Sequence, residues 1–291
     1  MISKISLGSA QFGMDYGVAN DNGKPTYLKV SNILNKARDL GIKNIDTASV
    51  YGKSESIIGR IGVSDFNVTT KIPSIPFKSV NVKNYIDDVI TNSFENTKTK
   101  KFYGILLHDS EQLLNDEYRS ELKNALINLK DKGVTEKIGL SIYDPNILND
   151  ITDLECYDIV QCPYNLFDRR LDSSGWMNRL NDLGIEIQIR SIFLQGLLLI
   201  KNEKRPLKFK KWNKLWIEWD SWLKKNQISP LEACINFSFK SDNVHSIVLG
   251  VDSESQLEEI CDKINIKNEL YPENIFSNDA DLINPVNWSK I

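Results

Sequence analysis

The chain has 291 residues, 41% of them apolar and 26% charged, with a net charge of −3. This composition is that of a soluble globular protein and gives no reason to expect nucleic acid or an anionic membrane as partner. Cys156, Cys162, Cys234 and Cys261 form no C-x-x-C pair and there are two histidines, so no metal site is expected and reduced thiols in a cytoplasmic setting are.

The N-terminal stretch MISKISLGSAQFG has no signal-peptide apolar region, and it contains a first β-rich run at Ile5–Leu7. Val30, Ile33, Leu34, Ala37 and Leu40 then share one helical face, with Gly41 placed for a left-handed C-terminal turn. The second run, Asn44–Asp46, ends on a carboxylate just ahead of Tyr51 and Gly52. Runs at Asn67–Lys71 and Gly104–His108 follow. After them comes a helix with Leu122, Ala125, Leu126 and Leu129 on one face, ending at Gly133. Lys137–Ser141, Ile159–Gln161 and Glu186–Arg190 are the next runs. The most apolar stretch, 191–200, has ten residues and includes Gln195 and Gly196, well short of the roughly 20 needed to span a membrane. Residues 207–227 read as an extra helical segment. SPLE at 229–232 is a helix start with a capping box, the last run is Ser246–Gly250, and SESQ at 253–256 is a second capping box.

Eight strand–helix units in one chain of this length predict a single (β/α)8 TIM barrel domain over 1–291, with the extra helical segment near 201–228. A doubly wound sheet is the alternative, but it would more naturally carry a glycine-rich nucleotide turn. GVANDNGKP at 17–25 is not such a turn. Its spacing is one residue too long for a P-loop, and Pro25 stands where a Ser or Thr is required. Trp212, Trp216 and Trp219 follow helical spacing, which predicts packing rather than an aromatic ligand cage, although a substrate-pocket wall is the other reading.

Barrel enzymes build their sites at the C-terminal ends of strands. The predicted ends carry Asp46, Lys71, His108, Ser141, Gln161, Arg190 and Gly250. Taken singly, Asp46 is a helix cap, Lys71 a surface residue and His108 a core histidine; together at one rim they predict a catalytic mouth. A tyrosine is a poor acid near neutral pH, a lysine ammonium beside it favours the phenolate, and an aspartate keeps that lysine charged and fixed. A neutral histidine can orient a carbonyl oxygen. Tyr51, Lys71, Asp46 and His108 supply those roles, for proton delivery to a carbonyl that receives a hydride.

Over essentially its whole length the sequence resembles the aldo-keto reductases. The matching segments are DTASVYGKSE, TTKIP, ILLHDS, IGLS, VQCPYNLFDRR and GVDSESQLEE, in the family's order. The resemblance implies a catalytic tetrad of Asp46, Tyr51, Lys71 and His108. Ser141 and Gln161 would hold the nicotinamide carboxamide. The segment from Gly250 through Ser253 to Gln256 would hold the adenosine phosphate end, with Glu259 near the adenine. A helix N-terminus capped by Ser253 suits phosphate on physical grounds as well.

Four positions depart from the family pattern. Ile142 replaces an Asn beside the carboxamide serine, and Arg190 stands where many members stack an aromatic ring on nicotinamide. A guanidinium can also stack on a flat ring. Gln256 replaces an Arg that contacts the 2′-phosphate, with Asp252 nearby, and Ile260 replaces an adenine-contacting Asn. NADP(H) is still expected over NAD(H) because it is the family's general habit.

The expected function is reduction of a small aldehyde or ketone, with RSIFLQGLLL weakly suggesting a sugar-like carbonyl compound. Two alternatives stand beside it: a non-catalytic NADP(H)-binding regulatory subunit, and a Schiff-base aldolase using Lys71. No feature commits the chain to an oligomeric state.

Overall fold

The computed structural model describes residues 1–20, 23–78, 80–265 and 270–291. Eight parallel strands close a barrel in sequence order. They are β1 (Ile5–Gly8), β2 (Asn44–Asp46), β3 (Asn67–Ile72), β4 (Phe102–Leu107), β5 (Thr135–Ser141), β6 (Ile159–Pro163), β7 (Glu186–Arg190) and β8 (Val244–Gly250). Ile5 lies opposite Ile247 and Gly8 opposite Gly250, and this β1–β8 pairing seals the ring. The chain is therefore the (β/α)8 barrel that the strand rhythm predicts, and the closing pair excludes the doubly wound alternative.

The helices are α1 (Ala10–Gly13), α2 (Tyr27–Asp39), α3 (Ser54–Ile61), α4 (Val82–Thr97), α5 (Asp116–Asp131), α6 (Arg170–Ser173), α7 (Trp176–Asp182), α8 (Asn213–Asn226), α9 (Pro230–Ser238), α10 (Glu254–Asn265) and α11 (Ala280–Ile283). Their faces follow the sequence pattern. Val30, Ile33, Leu34 and Ala37 of α2 are buried, as are Leu122, Leu126 and Leu129 of α5. The capping box at α9 is complete, with Ser229 and Glu232 each satisfying the other's backbone amide. Leu40 lies just past the end of α2, where Gly41 turns the chain at a φ of +78°.

Strands covered on both faces lose the alternation of polar and apolar residues, and β1 and β6 are buried at every position. Strand ends were accordingly the least legible feature. β4 starts at Phe102, paired with Thr135 at the start of β5, and β8 starts at Val244. His108 falls one residue beyond β4, although its amide still donates to the Ile72 carbonyl at 2.9 Å. Lys71 precedes the last residue of β3, and Gln161 lies in the middle of β6.

The tryptophans of the segment after β7 pack inside it. Trp216 and Trp219 are buried against Phe167, with ring centroids 5.1 and 5.9 Å away. Trp216 donates its indole N–H to the Phe209 carbonyl, and Trp212 donates to Asp279. No tryptophan lines the large cavity described below, so the packing reading holds and the pocket-wall reading does not.

Candidate active site

Asp46 and Lys71 are buried at the barrel mouth, 3% and 1% exposed. An ionic pair survives there only if its hydrogen-bonding capacity is filled. Lys71 Nζ donates to Asp46 Oδ1 at 2.6 Å and to the Thr47 carbonyl at 2.9 Å, and it lies 3.5 Å from the Tyr51 hydroxyl. The Tyr51 ring meets His108 edge-on, centroids 5.8 Å apart at 83°. The four residues from separate parts of the sequence therefore converge on one point.

The loop after β2 explains how Tyr51 is aimed. The Tyr51 amide donates to the Ala48 carbonyl and its own carbonyl accepts from the Ser54 amide, both at 3.0 Å. This tight turn needs Gly52 at a φ of +58°. It also presses against α1: a Cβ on Gly13 would lie 1.8 Å from the Tyr51 carbonyl, and one on Gly52 would lie 2.5 Å from the Gly13 carbonyl. Gly13→Ala is expected to cost about 1–3 kcal/mol, as overpacking does, and to displace Tyr51. Thermal denaturation beside a turnover assay checks this; an unchanged melting temperature would contradict the contact.

Burial, then the Asp46 carboxylate, raises the Tyr51 pKa well above its ordinary value, and the Arg190 guanidinium opposes them. Lys71, expected to favour phenolate, divides its donors between Asp46 at 2.6 Å and the Tyr51 hydroxyl at 3.5 Å, and Arg190 is a second cation that favours the phenolate. Burial likewise lowers the Lys71 pKa, with Asp46 acting in the other direction. Burial, together with the charges of Lys71 and Arg190, pushes His108 down to about 4. At neutral pH the site thus holds a protonated phenol and a neutral imidazole.

A cavity of about 440 Å³ opens above this cluster. Asp46, Tyr51, Arg190, Gly250, Gln256 and Glu259 line it, whereas Lys71, His108, Ser141, Gln161 and Ser253 do not. Ser253 is turned to its own helix. Its hydroxyl accepts from the Gln256 amide at 3.2 Å and shares a hydrogen bond with Ser255. The second capping box is not formed as expected, because Gln256 Oε1 accepts from the Asp252 amide at 2.8 Å instead of that of Ser253.

The cavity also has walls that the strand-end reading missed. Gly8, Ser9 and Gln11 line it from the end of β1, a strand whose C-terminal end was left out of the rim. Tyr16 and Asn20 come from the loop after β1, and Gln195 and Gly196 from the loop after β7. These two loops join through the Val18 amide, which donates to the Gln195 carbonyl at 3.1 Å. Gly17, Ala19 and Asn20, part of the rejected P-loop segment, thus line the site; its Asp21 and Asn22 lie outside the described residues. Ser191, Leu194 and Gln195 all have positive φ, a strain of about 1 kcal/mol or more each that clusters at functional sites.

Among the described residues, two buried oxygens in the barrel mouth have no partner: Ser141 Oγ and Gln161 Oε1. Gln161 Nε2 donates to Asp46 Oδ2 at 2.7 Å and to Gln188 Oε1 at 3.2 Å. Both are acceptors, so the amide orientation is set and Oε1 is left as an acceptor. A buried acceptor without a donor is costly. Two of them suit a primary amide NH2, as a nicotinamide carboxamide would present. Asp252 Oδ1, on the cavity wall after β8, is a third such atom, and burial pushes its carboxyl pKa up.

Residues 4–275 match the model of the aldo/keto reductase family. An uncharacterized oxidoreductase of Bacillus subtilis is 26% identical over 211 residues, 69% of this chain and 64% of its own length. The D-arabinose 1-dehydrogenase of Saccharomyces cerevisiae is 27% identical over 151 residues, 49% of this chain and 43% of its own. The chain therefore spans less than two thirds of the length of these curated relatives. An aldo-keto reductase from Bacillus halodurans in its holo form has the same fold, with a TM-score of 0.70 at 18% identity, covering 93% of this chain and 94% of that one. Barrel, motif order and family match agree: the chain belongs to the aldo/keto reductase family.

Proposed function

We propose that this chain, as one barrel domain in the cytoplasm, is an NAD(P)H-dependent reductase of a small aldehyde or ketone. The observation that carries this reading is the buried Lys71–Asp46 pair beside the Tyr51 hydroxyl, with Tyr51 facing the cavity. Bound NAD(P)H would supply a hydride to the carbonyl carbon. Tyr51, kept protonated by burial, then gives its proton to the substrate oxygen, because an alkoxide is a stronger base than a phenolate. Lys71 and Arg190 stabilise the charge left on Tyr51. His108, neutral, donates a hydrogen bond that orients the carbonyl oxygen. The name of the yeast relative makes a sugar-like carbonyl compound the first substrate class to test. Four cysteines outside any disulfide, three of them buried, support the cytoplasmic placement.

For the cofactor, Ser141 and Gln161 would hold the carboxamide through their partnerless oxygens. Arg190 would face the nicotinamide, and the stretch from Gly250 past Ser253 and Gln256 to Glu259 would take the adenosine end. NADPH should bind with a modest preference over NADH. The family's habit favours it, while Asp252 repels a 2′-phosphate and Gln256 brings no charge. Asp252→Asn with Gln256→Arg should shift preference further to NADPH, the added contact being worth about 1.5–3 kcal/mol. Fluorescence titration of both cofactors checks this, and an unmoved affinity ratio would show that these residues do not face the 2′ position.

Neither alternative is favoured by an observation. A regulatory subunit has no need of an intact tetrad. A Schiff-base lysine needs a free lone pair, whereas Lys71 Nζ is held as a donor by Asp46 and the Thr47 carbonyl. A screen of aldehydes and ketones with NADPH and NADH, following cofactor absorbance, tests the reading. Turnover of at least one carbonyl supports it, and none across aldoses, simple aldehydes and ketones counts against it.

A further inference from the structure

Among the described residues the cavity wall carries one arginine whose charge no carboxylate matches. Arg190, half-buried at the end of β7, lines the same cavity as Tyr51. One face of its guanidinium lies on the Tyr143 ring, 4.4 Å from the centroid. Nη2 donates to the Ile142 carbonyl at 3.0 Å, and Nη1 makes a long contact of 3.4 Å to Ser191 Oγ. Among the described residues no carboxylate forms an ion pair with it. A guanidinium has five N–H donors in a fixed fork, so these contacts leave several of them unfilled. The surrounding charges do not compensate. Lys71 and Asp46 cancel each other at 2.6 Å, and His108 is neutral. Elsewhere in the barrel, Arg170 binds Asp168 and Asp144 and Arg205 binds Asp220, whereas Arg169, which also forms no ion pair among the described residues, spends its donors on the Leu166, Pro272 and Glu273 carbonyls. Asp168 and Asp144, already engaged by Arg170, are therefore not spare partners for Arg190.

We propose that Arg190 determines substrate choice by binding an oxyanion substituent, a carboxylate or phosphate, on the carbonyl compound reduced at Tyr51. The proposal rests on the reductase reading for its location but not for the binding itself. A planar fork held on Tyr143 by one face, on a residue that lines the cavity, keeps N–H donors unfilled, and such a fork matches an oxyanion bidentately. The cofactor's own phosphates are the other source of the same chemistry. Direct contact with nicotinamide through the free face is compatible with an anion at the edge.

Two measurements test this. The first compares 4-carboxybenzaldehyde with benzaldehyde, and glyceraldehyde 3-phosphate with glyceraldehyde, in the wild type, Arg190→Gln and Arg190→Lys. Whatever a variant does to turnover in general cancels in the anionic-to-neutral ratio of kcat/KM. That ratio should favour at least one anionic member in the wild type, fall about 10- to 100-fold in Arg190→Gln and recover partly in Arg190→Lys. The second uses calorimetric titration of benzoate against benzamide, with no turnover required. Benzoate should bind the wild type and not Arg190→Gln, and this holds or fails even if no carbonyl is reduced. The proposal is overturned by a ratio that does not change with Arg190, or by benzoate binding equally to wild type and Arg190→Gln. It is also overturned if the variant weakens only NADPH or NADH binding, which would assign the charge to the cofactor.

Discussion

Tyr51→Phe is expected to leave the barrel and its cofactor affinity intact and to lower turnover by ~10²–10⁴-fold, the scale of a lost general acid. The phenyl ring still fills the space beside His108 and can keep the edge-to-face contact. What disappears is the hydroxyl 3.5 Å from Lys71 Nζ, and among the described residues no other tyrosine hydroxyl hydrogen-bonds to Lys71. Tyr16 lines the same cavity, but its hydroxyl accepts from Gln195 Nε2 rather than facing Lys71. Single-turnover kinetics with saturating cofactor, beside a melting curve, separate loss of chemistry from loss of fold. A near-normal chemical step in this variant would remove Tyr51 from the role assigned to it.

Lys71→Met should be as inactive and, unlike Tyr51→Phe, unstable. It leaves the Asp46 carboxylate buried with Gln161 as its remaining partner among the described residues, and breaking a buried pair from one side costs about 3–5 kcal/mol. The Asp46→Asn/Lys71→Met double variant removes both charges and should regain part of that loss without regaining turnover. The sign of the electrostatic effect also follows. Asp46 raises the Tyr51 pKa, and without the ammonium its full charge faces the phenol, so Tyr51 should titrate at still higher pH. Ultraviolet difference titration against a Tyr51→Phe background reads that shift. A Tyr51 titration that moves down, or a single variant as stable as the double, would show that Lys71 does not neutralise Asp46.

The barrel was legible because each strand is a short apolar run between amphipathic helices, and that rhythm survives even where individual ends do not. The tetrad was legible for a related reason. Barrel topology brings every strand's C-terminal end to one rim, so residues as far apart as Asp46 and His108 could be joined without knowing their contacts. Charge allocation was not legible. Whether Lys71 acts on Tyr51 or on Asp46 depends on distances of 3.5 and 2.6 Å, which spacing in the sequence does not encode. The same holds for Gln161, whose bond to Asp46 ties a residue expected at the cofactor to the ionic pair beneath it. The wall made by the loops after β1 and β7 was hidden because it depends on a backbone bond from Val18 to Gln195 and a side-chain bond from Gln195 to Tyr16, between segments more than 170 residues apart. Gly8 and Gln11 were accessible by the rule already applied to the other strands.

The central claim is hydride transfer to a carbonyl at Tyr51, and deuterium tracing tests it most directly. With cofactor deuterated at the transferring C4 position and a carbonyl substrate identified in the absorbance screen, the product alcohol should carry one deuterium on its carbinol carbon. Wild type should incorporate the label, and Tyr51→Phe should do so far more slowly. A carbinol carbon without deuterium, or a borohydride-stable adduct between substrate and Lys71 in place of the alcohol, would contradict the account.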